Sequence, residues 1–178
     1  MPERVYEPSF VEICTKVNNA KDKPAKIKVL REYQTESLEM FLKGALDPNM
    51  EWLLPEGNVP YIANDAPEGT EHTTLHQEIM NCHNFVKLHR DFINMDPVYG
   101  TPNLNHPRRE MMFIQMLEGL HVLEADLLIL AKDKGLSKKY KGLTANCVQE
   151  AFGWDAHFQP LPQPTTSPGY GRVERGIS

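Results

Sequence analysis

The sequence predicts an all-α protein, a single compact domain of six to seven helices over residues 1–158, with one long packed Pro-rich loop at 46–70 and an extended carboxy-terminal tail at 159–178. Three observations carry this reading. Apolar residues recur at i, i+3, i+4 and i+7 behind side chains suited to cap helices. The 178 residues, 40% hydrophobic and 24% charged, fit one globular domain. The 14 prolines stand mainly where that spacing stops.

Ser9-Phe10-Val11-Glu12 has the form of a capping box, and Phe10, Ile13, Cys14 and Val17 follow on one helical face. Pro24 suits the first turn of a second helix, with Ile27, Leu30 and Tyr33 on one side and lysines on the other. Thr35 caps a third, in which Leu38, Phe41, Leu42 and Ala45 repeat the spacing until Asp47-Pro48 stops it. The loop that follows carries Trp52, Leu53, Leu54 and Tyr61, which are costly to leave in water, so it is expected to pack. Thr74-x-x-Gln77 then opens a long helix whose seam is Leu75, Ile79, Cys82, Val86, His89 and Ile93. After a loop at 94–105, Pro107 opens a helix bearing Met112, Phe113, Met116, Leu117 and Leu120, with Gly119 near its end. Val122 to Leu130 is apolar nearly all round, as a central helix is. Lys132 to Lys141 reads as a basic turn before a last short helix, Thr144 to Phe152, with Cys147, Val148, Ala151 and Phe152 inward.

The net charge of −5 disfavours a non-specific polyelectrolyte binder of nucleic acid. The charge is also segregated: no basic residue lies between Lys43 and Lys87, while Glu51, Glu56, Asp65 and Glu78 among others make the centre acidic. No run approaches the roughly 18 apolar residues of a membrane span, and residues 1–20 lack a signal-peptide pattern, so a soluble cytosolic protein is expected. Cys14, Cys82 and Cys147 are odd in number and widely spaced, which reads as reduced core thiols.

Chemistry-bearing patterns are sparse. His72 and His76 lie four apart and can face one metal ion, but no third ligand stands at recognisable spacing, so neither metal nor cofactor is expected. Cys82 and His83 are neighbours whose side chains diverge on a helix. No nucleophile elbow, phosphate-binding glycine loop or His-Glu-x-x-His is present. Glu110, Glu118 and Asp126 read as solvated carboxylates. The expectation is therefore a protein that is not an enzyme.

Binding candidates are clearer. Arg108 and Arg109 fall in a first helical turn, where a cation is unfavourable by about 0.3–1 kcal/mol, so an anion should be near. The favoured source is Glu56, Asp65 or another member of the acidic block, an internal pair anchoring the loop; a partner's carboxylate or a phosphate is the alternative. Trp52, Leu54, Glu56 and Tyr61 of the loop, Arg108 and Arg109, and Tyr170, Val173 and Ile177 of the tail form the candidate partner-binding set. Lys138, Lys139 and Lys141 before Asn146 and Gln149 could imitate a helix-turn-helix, although the linker at 134–143 is longer than such a turn.

Three segments, Leu46-Asp47-Pro48-Asn49-Met50-Glu51-Trp52-Leu53-Leu54-Pro55-Glu56-Gly57, Arg108-Arg109-Glu110-Met111-Met112-Phe113-Ile114-Gln115-Met116-Leu117-Glu118 and Lys141-Gly142-Leu143-Thr144-Ala145-Asn146-Cys147-Val148-Gln149-Glu150-Ala151-Phe152, resemble a family of small uncharacterised proteins encoded by large myovirus-type tailed phages, including those of marine bacteria. The resemblance spans about residues 10–153 and supplies no mechanism. It implies a viral origin and, with the features above, a non-enzymatic protein that binds another protein, expected to belong to host or phage replication or transcription machinery. The alternatives are a virion component whose tail docks on a neighbouring subunit, with self-association, and DNA binding by helices in 107–152. The expected location is the cytoplasm of the infected host, or the virion.

Overall fold

In the computed structural model, which describes residues 7–64, 72–88 and 104–162, most helices begin where a side chain satisfies a free N–H group. Ser9 caps α1 (Phe10–Asn19), Asp22 caps α2 (Lys23–Glu32) and Thr35 caps α3 (Glu36–Leu46). Thr74 caps the single turn α4 (Leu75–Glu78), Asn105 caps α5 (His106–Gly119) and His121 caps α6 (Val122–Lys132). After the one-turn α7 (Leu136–Lys139), Thr144 caps α8 (Ala145–Phe152). Such caps stabilise a helix by about 1 kcal/mol each relative to alanine. The described residues are thus mostly helical, with eight helices and a two-stranded sheet.

α1 and α2 form a hairpin, α8 packs on α2, and α6 lies across α3 while also touching α1, α5 and α7. α6 is the central helix that its apolar sequence predicts. Phe10, Val17, Leu30, Phe41, Leu42, Leu117, Leu128 and Val148 meet in one core and are at most 1% exposed. Long-range polar contacts tie the helices together: Arg31 Nε donates to the Ala151 carbonyl at 2.9 Å, near the end of α8, and Lys23 pairs with Glu150 at 2.6 Å.

The expected long helix from Thr74 is not formed. Only α4 is α-helical; Ile79–Asn84 tightens to a 3-10 turn, and Val86–Leu88 is a strand, β2. β2 pairs antiparallel with β1 (Met50–Trp52), with Trp52 opposite Val86. The four- and three-residue spacing of Leu75, Ile79 and Cys82 suits this break as well as a continuous helix. Asn81, His83 and Asn84 are weak helix formers and Val86 favours a strand, so pairing with β1 prevails. His89 and Ile93 of the predicted seam lie outside the described residues.

α8 ends at Gly153, in the left-handed region at φ +69°, and the Trp154 N–H closes the turn on the Gln149 carbonyl. Trp154 bridges to Pro160, the Leu161 N–H reaches the Gly153 carbonyl, and Phe152, Trp154 and Phe158 form an aromatic cluster, with Lys43 Nζ 4.7 Å over the Trp154 ring. The bonded structure therefore extends past residue 158. Among the described residues no helix is long and apolar enough to cross a membrane.

Candidate functional site

Residues 53–64 have little regular structure, yet they are fixed along the α5–α6 pair as a strap. At its start, the Leu53 N–H donates to the Phe85 carbonyl at 2.7 Å, continuing the β1–β2 ladder. Lys132 Nζ donates to the carbonyl oxygens of Pro55 at 2.7 Å and Gly57 at 3.3 Å. It also pairs with the Asp133 carboxylate at 2.5 Å, and that carboxylate accepts the Gly57 N–H. Gly57 sits at φ +99°, where a side chain would be strained. Further along, the Tyr61 hydroxyl donates to Asp126 Oδ1 at 2.9 Å, and the Ile62 N–H donates to Glu118 Oε1 at 3.2 Å. Asn64 Nδ2 lies 3.4 Å from the Glu118 carbonyl oxygen. The anchors run from the end of α6 back along it to the end of α5, so the strap lies antiparallel to α6.

The turn before the strap is locked by a second lysine. Lys134, in the left-handed region at φ 57°, donates from Nζ to the Gly44 carbonyl at 2.6 Å and the Asp47 carbonyl at 2.9 Å. Gly44 lies in the last turn of α3, whose carbonyls have no helical partner and carry the negative end of the dipole, so a cation is favoured there. Burial pushes the Lys134 ammonium down to about 8, against a smaller upward pull from Asp47. Gly44 also accepts from Trp52 Nε1 at 2.8 Å, and the Trp52 ring stands edge-on to Phe113 at 6.5 Å. A Cβ on Gly44 would meet Trp52 Cζ2 at 3.1 Å, so the glycine makes room for the indole.

These contacts revise several expectations. Trp52 is buried, a core residue rather than a free partner-binding one. The cation anchoring the loop is Lys132, held by main-chain carbonyls. Arg109 is buried, with Nε donating to the Asn84 carbonyl at 3.0 Å, and Arg108 is exposed. Glu56 is exposed on the strap and Asp65 lies outside the described residues. Lys132 and Lys134 do not belong to a solvated basic turn. Glu118 and Asp126 are strap anchors rather than free carboxylates. No local sequence signal marks Lys132, Lys134, Asp133, Glu118 or Asp126, because their partners are main-chain groups or side chains far away in the chain; the nearest hint is the turn-forming Pro55-Glu56-Gly57.

Between strap and α5 lies an apolar cleft of about 120 Å³, lined by Leu54, Pro55, Asn58, Val59, Pro60, Glu110, Phe113 and Ile114. Met111 and Ile114, three apart, share a face of α5, and Glu118, which holds Ile62, continues it. On that face Met111 is 61% exposed; on the strap Ile62 is 79% exposed, and on α6 Leu123, three residues before the strap anchor Asp126, is 54% exposed. The surface combines the predicted Leu54, Glu56 and Tyr61 with Ile62 and Met111, which sequence reasoning missed. Tyr61 ionises only near pH 12, because burial and its bond to Asp126 disfavour the phenolate.

The remaining candidates lie elsewhere. Lys138, Lys139 and Lys141 are exposed, but Asn146 Oδ1 accepts from Lys23 Nζ at 3.1 Å and Gln149 Nε2 donates to the Ala156 carbonyl at 3.3 Å. The two residues proposed to meet bases are thus engaged within the fold. His76 stands edge-on to Phe10 at 5.6 Å, and among the described residues no group of three or more His, Cys, Asp or Glu could hold a metal ion. Burial pushes the thiols of Cys14 and Cys82 up to about 12, which suppresses thiolate chemistry. Tyr170, Val173 and Ile177 lie outside the described residues.

No curated protein and no solved structure matches this chain. Residues 13–138, which include the strap, the whole acidic segment and all of α5 and α6, match the family described as "Family of unknown function (DUF6433)". The chain belongs to that family.

Proposed function

We propose that the protein is a non-enzymatic, phage-encoded binding protein whose strap and α5 face grip another protein. The observation that carries this reading is the fixed strap: it is anchored at both ends and in the middle, yet Ile62, held at Glu118, is 79% exposed, and Met111, about two turns earlier on α5, is 61% exposed. Ordering a loop before binding removes an entropy cost that binding would otherwise meet. The cleft, about 120 Å³, is well below the roughly 300–1,000 Å³ of small-molecule sites, and suits one inserted side chain of a partner. The positions from Met111 to Glu118 span about 10 Å of helix, the scale of a protein contact core.

Glu56, Glu110, Glu118 and Asp126 give this surface an acidic setting. The complementary partner presents an apolar knob ringed by lysine or arginine. Replication and transcription machinery, basic where it handles nucleic acid, fits that description. Affinity purification of tagged protein from infected cells tests the reading. The expected result is one stoichiometric partner that disappears when Ile62 and Met111 become Asp, with helicity and thermal midpoint retained. Recovery of the same proteins with both forms, or of none, would contradict it, and abundant copies in purified virions would favour a structural role instead.

A further inference from the structure

We infer that the chain's own carboxy-terminal segment, residues 163–178, docks in the cleft between the strap and α5 and competes with the external partner, an inference that rests on the binding reading above. The sequence of this segment carries the chemistry that the cleft selects. Pro164 and Pro168 continue the run from Pro160 and Pro162, and Tyr170, Val173 and Ile177 alternate with Arg172 and Arg175. Leu54, Val59, Pro60 and Ile114 offer an apolar wall for a proline or tyrosine ring, and Glu110 lies in the same wall to receive an arginine. Extended segments rich in proline lose little conformational freedom on docking, which favours such a ligand at a small cleft.

The geometry permits docking within one chain. Pro160 bridges to Trp154, whose ring carries Lys43; the next residue, Gly44, accepts from Trp52, and Trp52 meets Phe113 in the cleft wall. Pro160, three residues before the segment, is therefore linked to the cleft by a short series of contacts. Sixteen residues reach up to about 50 Å when extended. A tether of this kind holds its ligand at an effective concentration on the order of millimolar, so even weak docking is populated.

The test uses the full chain with Ser167→Cys carrying a nitroxide, the native cysteines being buried, and isotope-labelled methyl groups. Docking within one chain predicts broadening of the Leu54, Val59 and Ile114 methyl signals that does not change on dilution. Adding Arg172→Glu and Arg175→Glu should lower the docked-to-undocked ratio roughly fivefold, the upper end for one exposed ion pair, here with Glu110, and Glu110→Lys in that background should restore part of it. Absence of broadening at these methyls overturns the inference. Broadening seen only when labelled and nitroxide-bearing chains are mixed overturns it in favour of a second copy. Because docking itself needs no partner, docking without partner capture would sink the binding reading and the competition with it but leave the docking, and capture without docking would sink this inference alone.

Discussion

Lys132 Nζ donates to the Pro55 carbonyl oxygen at 2.7 Å, and this contact joins the end of α6 to a loop 77 residues earlier in the chain. The lysine side chain is 1% exposed and the Asp133 side chain 24%. Removing the buried lysine leaves the Pro55 and Gly57 carbonyls, whose bonds to it are half-buried, without this donor and the Asp133 carboxylate, which keeps the Gly57 N–H, without its cation. Lys132→Met should cost about 2–4 kcal/mol, lowering the thermal midpoint by about 5–15 °C. Amide exchange at Gly57 should rise more than exchange in α1. Unchanged Gly57 exchange would show that the strap does not depend on this anchor.

Gly44 and Trp52 make a second lock. Gly44→Val adds a branched side chain where even a Cβ comes within 3.1 Å of the indole, so Trp52 must move and lose its bond to the Gly44 carbonyl. Overpacking of this kind costs about 1–3 kcal/mol. The expected readout is loss of protection of the Trp52 indole N–H, with the Trp154 indole unaffected.

Lys134 gives a pH signature whose sign is fixed by its shift. In the folded protein its ammonium releases its proton near pH 8, whereas in the unfolded chain it holds it to about 10.5. Between those values the unfolded state binds more protons, so this residue's contribution to stability rises with pH. The difference in urea midpoint, wild type minus Lys134→Met, should grow from pH 7.5 to pH 10. A difference that is flat or shrinks would show that the Gly44 and Asp47 carbonyls outweigh burial.

Tyr61 shows the opposite slope. Its phenol ionises near pH 12 when folded, above the ordinary value of 10, so the stabilisation is complete below about pH 10 and fades as pH rises through 12. Ultraviolet titration should find one tyrosine whose ionisation moves down when Asp126 becomes Asn. Tyr61→Phe should cost about 0.5–1 kcal/mol, as expected for an exposed neutral bond to a carboxylate.

What could be read from sequence was what local chemistry decides. Ser9, Thr35 and Thr74 cap helices as expected, because a capping side chain bonds a neighbour three residues on. The central position of α6 followed from its apolar girth, and the packing of the 46–70 loop, over its described part, from Trp52 and Tyr61. What was not legible depends on distant groups. Val86 joins a strand because Trp52 lies opposite it, and Lys132 and Lys134 are held by carbonyls 75 to 90 residues away, which leave no trace in side-chain pattern. Ile62 and Met111 were invisible for the same reason: their exposure is set by how the strap lies on α5.

The most direct test of the account places a photo-crosslinking amino acid at Ile62, at Met111 and, as a control, at Lys28, which is exposed on α2. Irradiation in infected cells should give one discrete adduct, containing the same partner, from positions 62 and 111 and none from position 28. Equal adducts from all three positions, or none from 62 and 111, would contradict the claim that the strap and α5 face form the binding surface.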